Sequence, residues 1–329
     1  MSNTRAFFAC KPPHQREPKM YACEPCDETQ ADLVWGDYAA ESVHYYRRDA
    51  LPSDFKQTLC KTDPIPSDIA IVEKSEYIGM VENARRTIAE TRAKKIVLSR
   101  SLVVQLPEPF DVLAFYKRLC STFPTAFVYL FNANGACWMG ATPELLLKQD
   151  QQHIHTMSLA GTRWTNEGKH TAWTDKEREE QAWVTTFLRE ELRNLGVQEL
   201  NESEPKTIQA GHLQHLCTEL NGRLPVEVTP LDAARRLHPT PAVCGYPRDV
   251  ARTFIESNES HNRSYYAGYI GMSEGQKAEF YVNLRCMRVF SDCAQLFAGG
   301  GITADSNPGT EWEETEQKLD VLRQLMHTV

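Results

Sequence analysis

The chain has 329 residues, enough for one large domain or two of ordinary size. Its 36 lysines and arginines against 44 aspartates and glutamates give a formal charge of −8 with no long basic run, which argues against nucleic acid or an anionic membrane as the main partner. Ten scattered cysteines, no basic-then-apolar leader pattern and no apolar run of membrane-spanning length lead us to expect free thiols in a reducing cytoplasm.

The first 60 or so residues are rich in Pro, Cys and charge and carry only short strand-like pieces such as residues 5–9. Cys23 and Cys26 have the spacing of half a zinc site, but no second pair follows. From residue 75 the pattern sharpens into a helix over 75–92, capped by Ser75, and a strand over 96–106. A helix over 110–122 precedes a hairpin, with strands over 126–132 and 136–147 about Asn134-Gly135. A strand over 153–160 leads to Gly161, and a long helix runs over 175–195. After a loop come helices over 231–237 and 247–257, then a meander of strands over 265–272, 278–289 and 294–298. A last helix begins near Thr310. Strands joined by hairpins and interleaved with helices indicate an α+β fold, with mostly antiparallel sheets flanked by helices. No linker divides it after residue 75, so we expect a single catalytic domain over 1–329, its motifs in 75–329 and a short N-terminal portion in 1–74.

Two helices carry acids where apolar residues belong. The stripe Val184, Leu188, Leu192, Leu195 extends backwards to Glu180 and Glu177, and Val321 and Leu325 line up with Lys318, Glu314 and Glu311. Acids favour the first turn of any helix, which accounts for one such pair. Two helices each sending an i,i+3 glutamate pair inward suggest an oxygen-rich site for a hard cation such as Mg²⁺. By the angle of the last stripe, Glu313 points away from it.

Seven segments occur in order: KIVLSR at 95–100, GATPE at 140–144, LAGT at 159–162, KEREE at 176–180, HPTPAVCG at 238–245, VNLR at 282–285 and GGGITADSNPGTEWEETEQK at 299–318. Together they resemble the chorismate-utilising enzymes, the isochorismate, salicylate, anthranilate and aminodeoxychorismate synthases. The likeness covers nearly all of 75–329. HPTPAVCG and the lysine of KIVLSR are most similar to the isochorismate synthases of siderophore or menaquinone routes.

The resemblance implies an anthranilate synthase component I-like fold and a Mg²⁺-dependent isomerisation of chorismate to isochorismate. Lys95 would act as general base on the water that attacks C2, and Glu144 as general acid on the departing C4 hydroxyl. That assignment requires Lys95 to be neutral part of the time and Glu144 to stay protonated, both favoured by a dry pocket. Glu180 and Glu314 would hold Mg²⁺ with Glu177 and Glu311 in support. Arg285 and Lys318 would bind the enolpyruvyl carboxylate, Gly161, Thr162, Gly299 and Ala242 would border the substrate, and His215 would orient groups near the ring. The implied partner is chorismate, for a cytoplasmic monomer in transient contact with an isochorismate-using enzyme.

Three departures from the family pattern stand out. Gln181 replaces a usual His, Gly300 replaces Ala in GAGI, and the N-terminus is short. We expect tuning from the first, a looser loop from the second and a trimmed sheet edge, or a substitute built from 5–9, from the third. A salicylate synthase, which also eliminates pyruvate, is the nearest alternative; an inactive homologue serving as a partner subunit is another. A nucleotide-binding module would use the glycine run as a phosphate cradle, but the chain lacks GxxxxGK[ST] and GxGxxG.

Overall fold

The computed structural model describes residues 6–51, 62–67, 69–133, 135–164, 172–210 and 213–326, of which 160, 162–164, 210 and 213 are described by their backbone alone. In chain order its elements begin with β1 (Ala6–Lys11), β2 (Lys19–Pro25), β3 (Leu33–Gly36), β4 (Val43–Asp49), α1 (Lys74–Glu90), β5 (Lys95–Gln105) and α2 (Val112–Thr122). There follow β6 (Phe127–Ala133), β7 (Ala136–Thr142), β8 (Leu145–Asp150), β9 (His153–Trp164), α3 (Asp175–Asn194), β10 (Gln198–Glu202), β11 (Lys206–Ala210) and β12 (Leu213–Arg223). The remainder is α4 (Pro230–Leu237), β13 (Gly245–Tyr246), α5 (Arg248–Asn258), β14 (Tyr269–Glu274), β15 (Lys277–Val282), β16 (Cys286–Val289), β17 (Cys293–Ile302) and α6 (Pro308–Met326).

Every strand pairing is antiparallel, and the pairings trace one continuous ladder. From one end it runs β13, β5, β17, β16, β7, β6, β1. It continues through β2, β4, β3, β14, β15, β8, β9 and β12, with β10 and β11 both on β12. This is the α+β architecture expected from the sequence. Of the two N-terminal alternatives, β1 is no trimmed edge: it falls on the 5–9 segment and is an interior strand paired on both sides, buried at every position.

Alternation explains that burial. Phe8 and Cys10 point into one apolar cluster while Phe7 and Ala9 point into another on the opposite face. Helices α1, α3, α4 and α5 cover the first cluster, and α2 with the C-terminal half of α6 covers the second. Among the described residues no helix is long and apolar enough to cross a membrane.

Several boundaries move for physical reasons. Helix α1 starts one residue before Ser75, and Asp111 caps α2 by accepting from the amides of Leu113 and Ala114. The expected strand over 136–147 breaks at Pro143, which has no amide to give a ladder, and the strand over 278–289 breaks at 283–285. The glycine run, expected after a strand, lies inside β17 opposite Ser99, Leu98 and Val97 of β5. The segment read as a loop after α3 holds β10, β11 and β12. The expected turn at Asn134 lies outside the described residues.

Candidate active site

The two breaks are neighbours, and they carry two of the candidate residues. The chain passes from β7 to β8 at Pro143-Glu144, and from β15 to β16 at 283–285, where β15 pairs with β8 and β16 with β7. Both links therefore cross between the same two parts of the ladder, tied by Val282 N donating to Glu144 O (3.0 Å), Ala141 N to Arg285 O (3.1 Å) and Thr142 Oγ1 to Val282 O (2.6 Å). Asn283 anchors the turn, accepting from Tyr129 Oη (2.7 Å) and donating to Tyr265 O (2.8 Å). Arg285 then turns with φ 48°, a left-handed conformation that costs a non-glycine residue about 1 kcal/mol or more and that clusters at functional sites.

Glu144 is 7% exposed. Burial pushes its carboxyl up to about 7, against the pull of Lys95 and Arg285. Burial likewise lowers Arg285, and Glu144 opposes that shift.

Lys95 opens β5, pinned between β13 and β17. It is 5% exposed rather than solvated, and its ammonium pairs with Glu180 Oε2 at 3.2 Å. Glu180 lies on α3, whose start is fixed by a capping box. Thr174 Oγ1 accepts from Glu177 N, and Glu177 Oε2 accepts from Thr174 N at 2.7 Å. The plain helix-start explanation thus accounts for Glu177, though its side chain also borders the cavity. Glu180, almost a turn further in, has no capping duty. Gln181 turns into the core at 2% exposure and donates Nε2 to Ser158 O (3.1 Å) and Thr218 Oγ1 (3.2 Å). It does not line the cavity.

Helix α6 is capped by Asn307 Oδ1, which accepts from Thr310 N at 3.1 Å, with Pro308 in the first turn. Its core stripe is Glu311, Thr315, Leu319, Leu322 and Met326. The expected inward stripe through Glu314, Lys318 and Val321 is instead the cavity face, next to the core face on the helix surface. Glu313 also lines the cavity at its exposed rim, which corrects the expectation that it turns away. Lys318 Nζ bonds Glu314 Oε1 (2.7 Å) and Gly299 O (2.8 Å), and it holds Glu314 below the usual carboxylate range. Burial raises Glu311, with Glu314 adding repulsion.

These side chains meet in one cavity of about 570 Å³. Its walls come from both ends of the ladder, β5 and β17 from one and β9 and β12 from the other, with α3 and α6 between them. Twelve of the thirteen candidates line it: Lys95, Glu144, Gly161, Glu177, Glu180, His215, Ala242, Arg285, Gly299, Glu311, Glu314 and Lys318. Thr162 pairs through its backbone with His215, and its side chain lies outside the described part. His215 Nδ1 is 3.2 Å from Gly161 O, and burial, then Arg285, lowers its pKa to about 4. The ring is therefore neutral near pH 7.

The sequence reading passed over Lys176, Arg263, Tyr266 and Gln317, which also line the cavity. Lys176 precedes Glu177 within a quoted motif and could have been found there. Arg263 and Tyr266 come from the irregular stretch between α5 and β14, where no periodicity marks a face. Arg263 is neutralised by Glu259, through Nε to Oε2 (2.8 Å) and Nη2 to Oε1 (2.6 Å).

With Arg263 so paired, four cations on the wall face six carboxylates, or five once Glu144 is protonated. That net negative balance does not favour a dianion alone, and a divalent cation would reverse it. Among the described residues no three carboxylate, imidazole or thiol groups stand close enough to enclose an ion by themselves, at Cys23 and Cys26 or elsewhere. The glutamates facing the cavity offer oxygen donors, and a Mg²⁺ ion that completes its shell with water and substrate needs only one or two of them.

The model of the family described as "Chorismate binding enzyme" matches residues 35–327. The isochorismate synthase EntC of Escherichia coli K12 is 29% identical over 318 residues, spanning 93% of this chain and 81% of that protein. The structure of MenF, the menaquinone-specific isochorismate synthase of Escherichia coli, superposes with a TM-score of 0.82 at 23% identity, covering 98% of this chain and 88% of the other. Anthranilate synthase component I from Streptococcus pneumoniae TIGR4 gives a TM-score of 0.70 at 25% identity, over 87% of this chain and 70% of that one.

Proposed function

The chain belongs to the chorismate binding enzymes, and from that premise we propose that it is an isochorismate synthase, adding water at C2 of chorismate with loss of the C4 hydroxyl. The observation that supports the chemistry is that Lys95 and Glu144 line one cavity as a buried amine and a buried acid, the latter raised to about 7. Lys95 takes a proton from the attacking water, and Glu144 gives one to the departing hydroxyl, so one water is consumed and one released. Arg285 and Lys318 bind the enolpyruvyl carboxylate, Arg285 able to do so through two parallel bonds. Gly161, Gly299 and Ala242 bring the walls close to the ligand, and neutral His215 accepts or donates a hydrogen bond without adding charge. Glu180 and Glu314, with Glu177 and Glu311 behind them, would hold Mg²⁺, which supplies the counter-charge for the ring carboxylate. Apolar walls such as Val97, Leu284 and Phe297 keep bulk water from the ring.

The test is incubation with chorismate, with and without Mg²⁺, and chromatographic separation of products. Isochorismate formed only with the cation is the expected result. Salicylate and pyruvate as main products would replace the reading by its nearest alternative, and no turnover would leave a non-catalytic homologue.

A further inference from the structure

The space left by the methyl group absent at Gly300 is polar. Apart from its chain neighbours, a Cβ built there would meet two atoms within 4 Å, Glu311 Oε2 at 3.3 Å and Tyr77 Oη at 3.5 Å. Tyr77 is 0% exposed, its ring set edge-on to Trp312 at a centroid distance of 5.8 Å. Its hydroxyl is buried with no hydrogen-bond partner among the described residues. A buried hydroxyl in that condition is costly, and native structures commonly satisfy one with an ordered water. Both oxygens face the bare side of Gly300 and the Tyr77 hydroxyl has no direct bond to Glu311, so a water resting against the Gly300 Cα, just beyond the point a Cβ would occupy, can bridge them.

We propose that Gly300, Tyr77 and Glu311 enclose a site for one ordered water, which accepts from the Tyr77 hydroxyl and donates to the Glu311 carboxylate. Tyr77 is then a positioning residue: through the water it fixes one oxygen of a carboxylate that borders the cavity. Alanine at position 300 would fill the site with its methyl group and break the connection. The glycine lies in a strand paired with β5 rather than in a loop, and there it makes room for a solvent molecule.

A high-resolution crystal structure should show a water within hydrogen-bonding distance of both oxygens, and none there in Gly300→Ala. An empty gap, or a direct Tyr77–Glu311 bond, would overturn the proposal. Thermal melting gives an independent sign test. Tyr77→Phe should lower Tm by about 1–2 °C in the wild-type background, where it removes a satisfied hydroxyl. In the Gly300→Ala background the hydroxyl has lost its partner, so the same change should leave Tm unchanged or raise it. Equal losses in both backgrounds would defeat the proposal. The consequence for the cation rests on the reading of function above and is read without turnover, by calorimetric titration of Mg²⁺ into substrate-free protein. Tyr77→Phe should bind it about three- to tenfold more weakly than wild type, because outer partners orient ligands. If the wild type takes up no Mg²⁺, the cation reading fails, while the density and the melting comparison still decide the water site.

Discussion

Lys95 Nζ lies 3.2 Å from Glu180 Oε2, joining the first residue of a sheet strand to the early part of a helix packed across the cavity. Among the described residues neither side chain makes another ion pair, and both line the cavity. The pair links β5 to α3. A ligand that draws Glu180 away also releases Lys95.

Lys95→Ala should lower kcat/KM for chorismate by about 10²- to 10⁴-fold, the usual worth of a positioned base. Glu180 sits on α3, whose start is fixed by the Thr174–Glu177 capping box, so circular dichroism should be unchanged. Turnover at the wild-type rate would remove Lys95 from the mechanism.

Gly301→Ala tests the same amine without deleting it. A Cβ there would lie 2.5 Å from Lys95 Cε and 3.1 Å from Nζ, so the side chain must move aside. A misplacement of about 1 Å costs on the order of 10²-fold in rate, and that loss should appear in steady-state kinetics with little change in Tm. Unaltered kinetics would mean that the amine need not sit where this strand puts it.

Glu144 should give a pH signature of known sign. Its folded value of about 7 lies above the ordinary 4.5, so its contribution to stability is full below the unfolded value and is lost as pH rises through about 7. The Tm of Glu144→Gln relative to wild type should therefore climb between about pH 5 and about pH 8. A flat difference would show that burial does not hold the proton. On the kinetic side, wild-type kcat/KM should fall with the same midpoint as the acid ionises. His215, lowered to about 4, stays neutral over that range and adds no slope.

Gln181→Ala should behave as a core substitution despite its place beside Glu180. It leaves Ser158 and Thr218 without the amide they share, which costs about 1–3 kcal/mol and several degrees of Tm. Activity should stay within about tenfold of wild type, because the side chain points away from the cavity. A deeper loss would place Gln181 in the catalytic arrangement.

Residues whose chemistry clashes with their surroundings were the legible ones. Glu177 and Glu180 stood out because an apolar stripe led straight to them, and Arg285 and Glu144 because they closed recognisable segments. The phase of α6 misled, since the cavity face and the core face of a helix lie only about 100° apart and Val321 is apolar on the wrong one. Arg263 and Tyr266 left no pattern, because an irregular segment has no period to break. Strands β10 to β12 were missed because polar residues dominate them, and β1 was undervalued because the fragment alone does not reveal its two partners.

Strand β17 brings no reactive group to the site, yet two of its positions decide what fits there. At Gly299 any side chain would begin 2.7 Å from the Leu98 carbonyl, and at Gly301 it would begin 2.5 Å from Lys95. In a saturation mutagenesis screen selected on product formation, positions 299 and 301 should therefore rank beside Lys95 as intolerant, with position 300 accepting alanine between them. Such a screen would report vacancy under selection: two stretches of backbone kept bare so that other residues can do the chemistry.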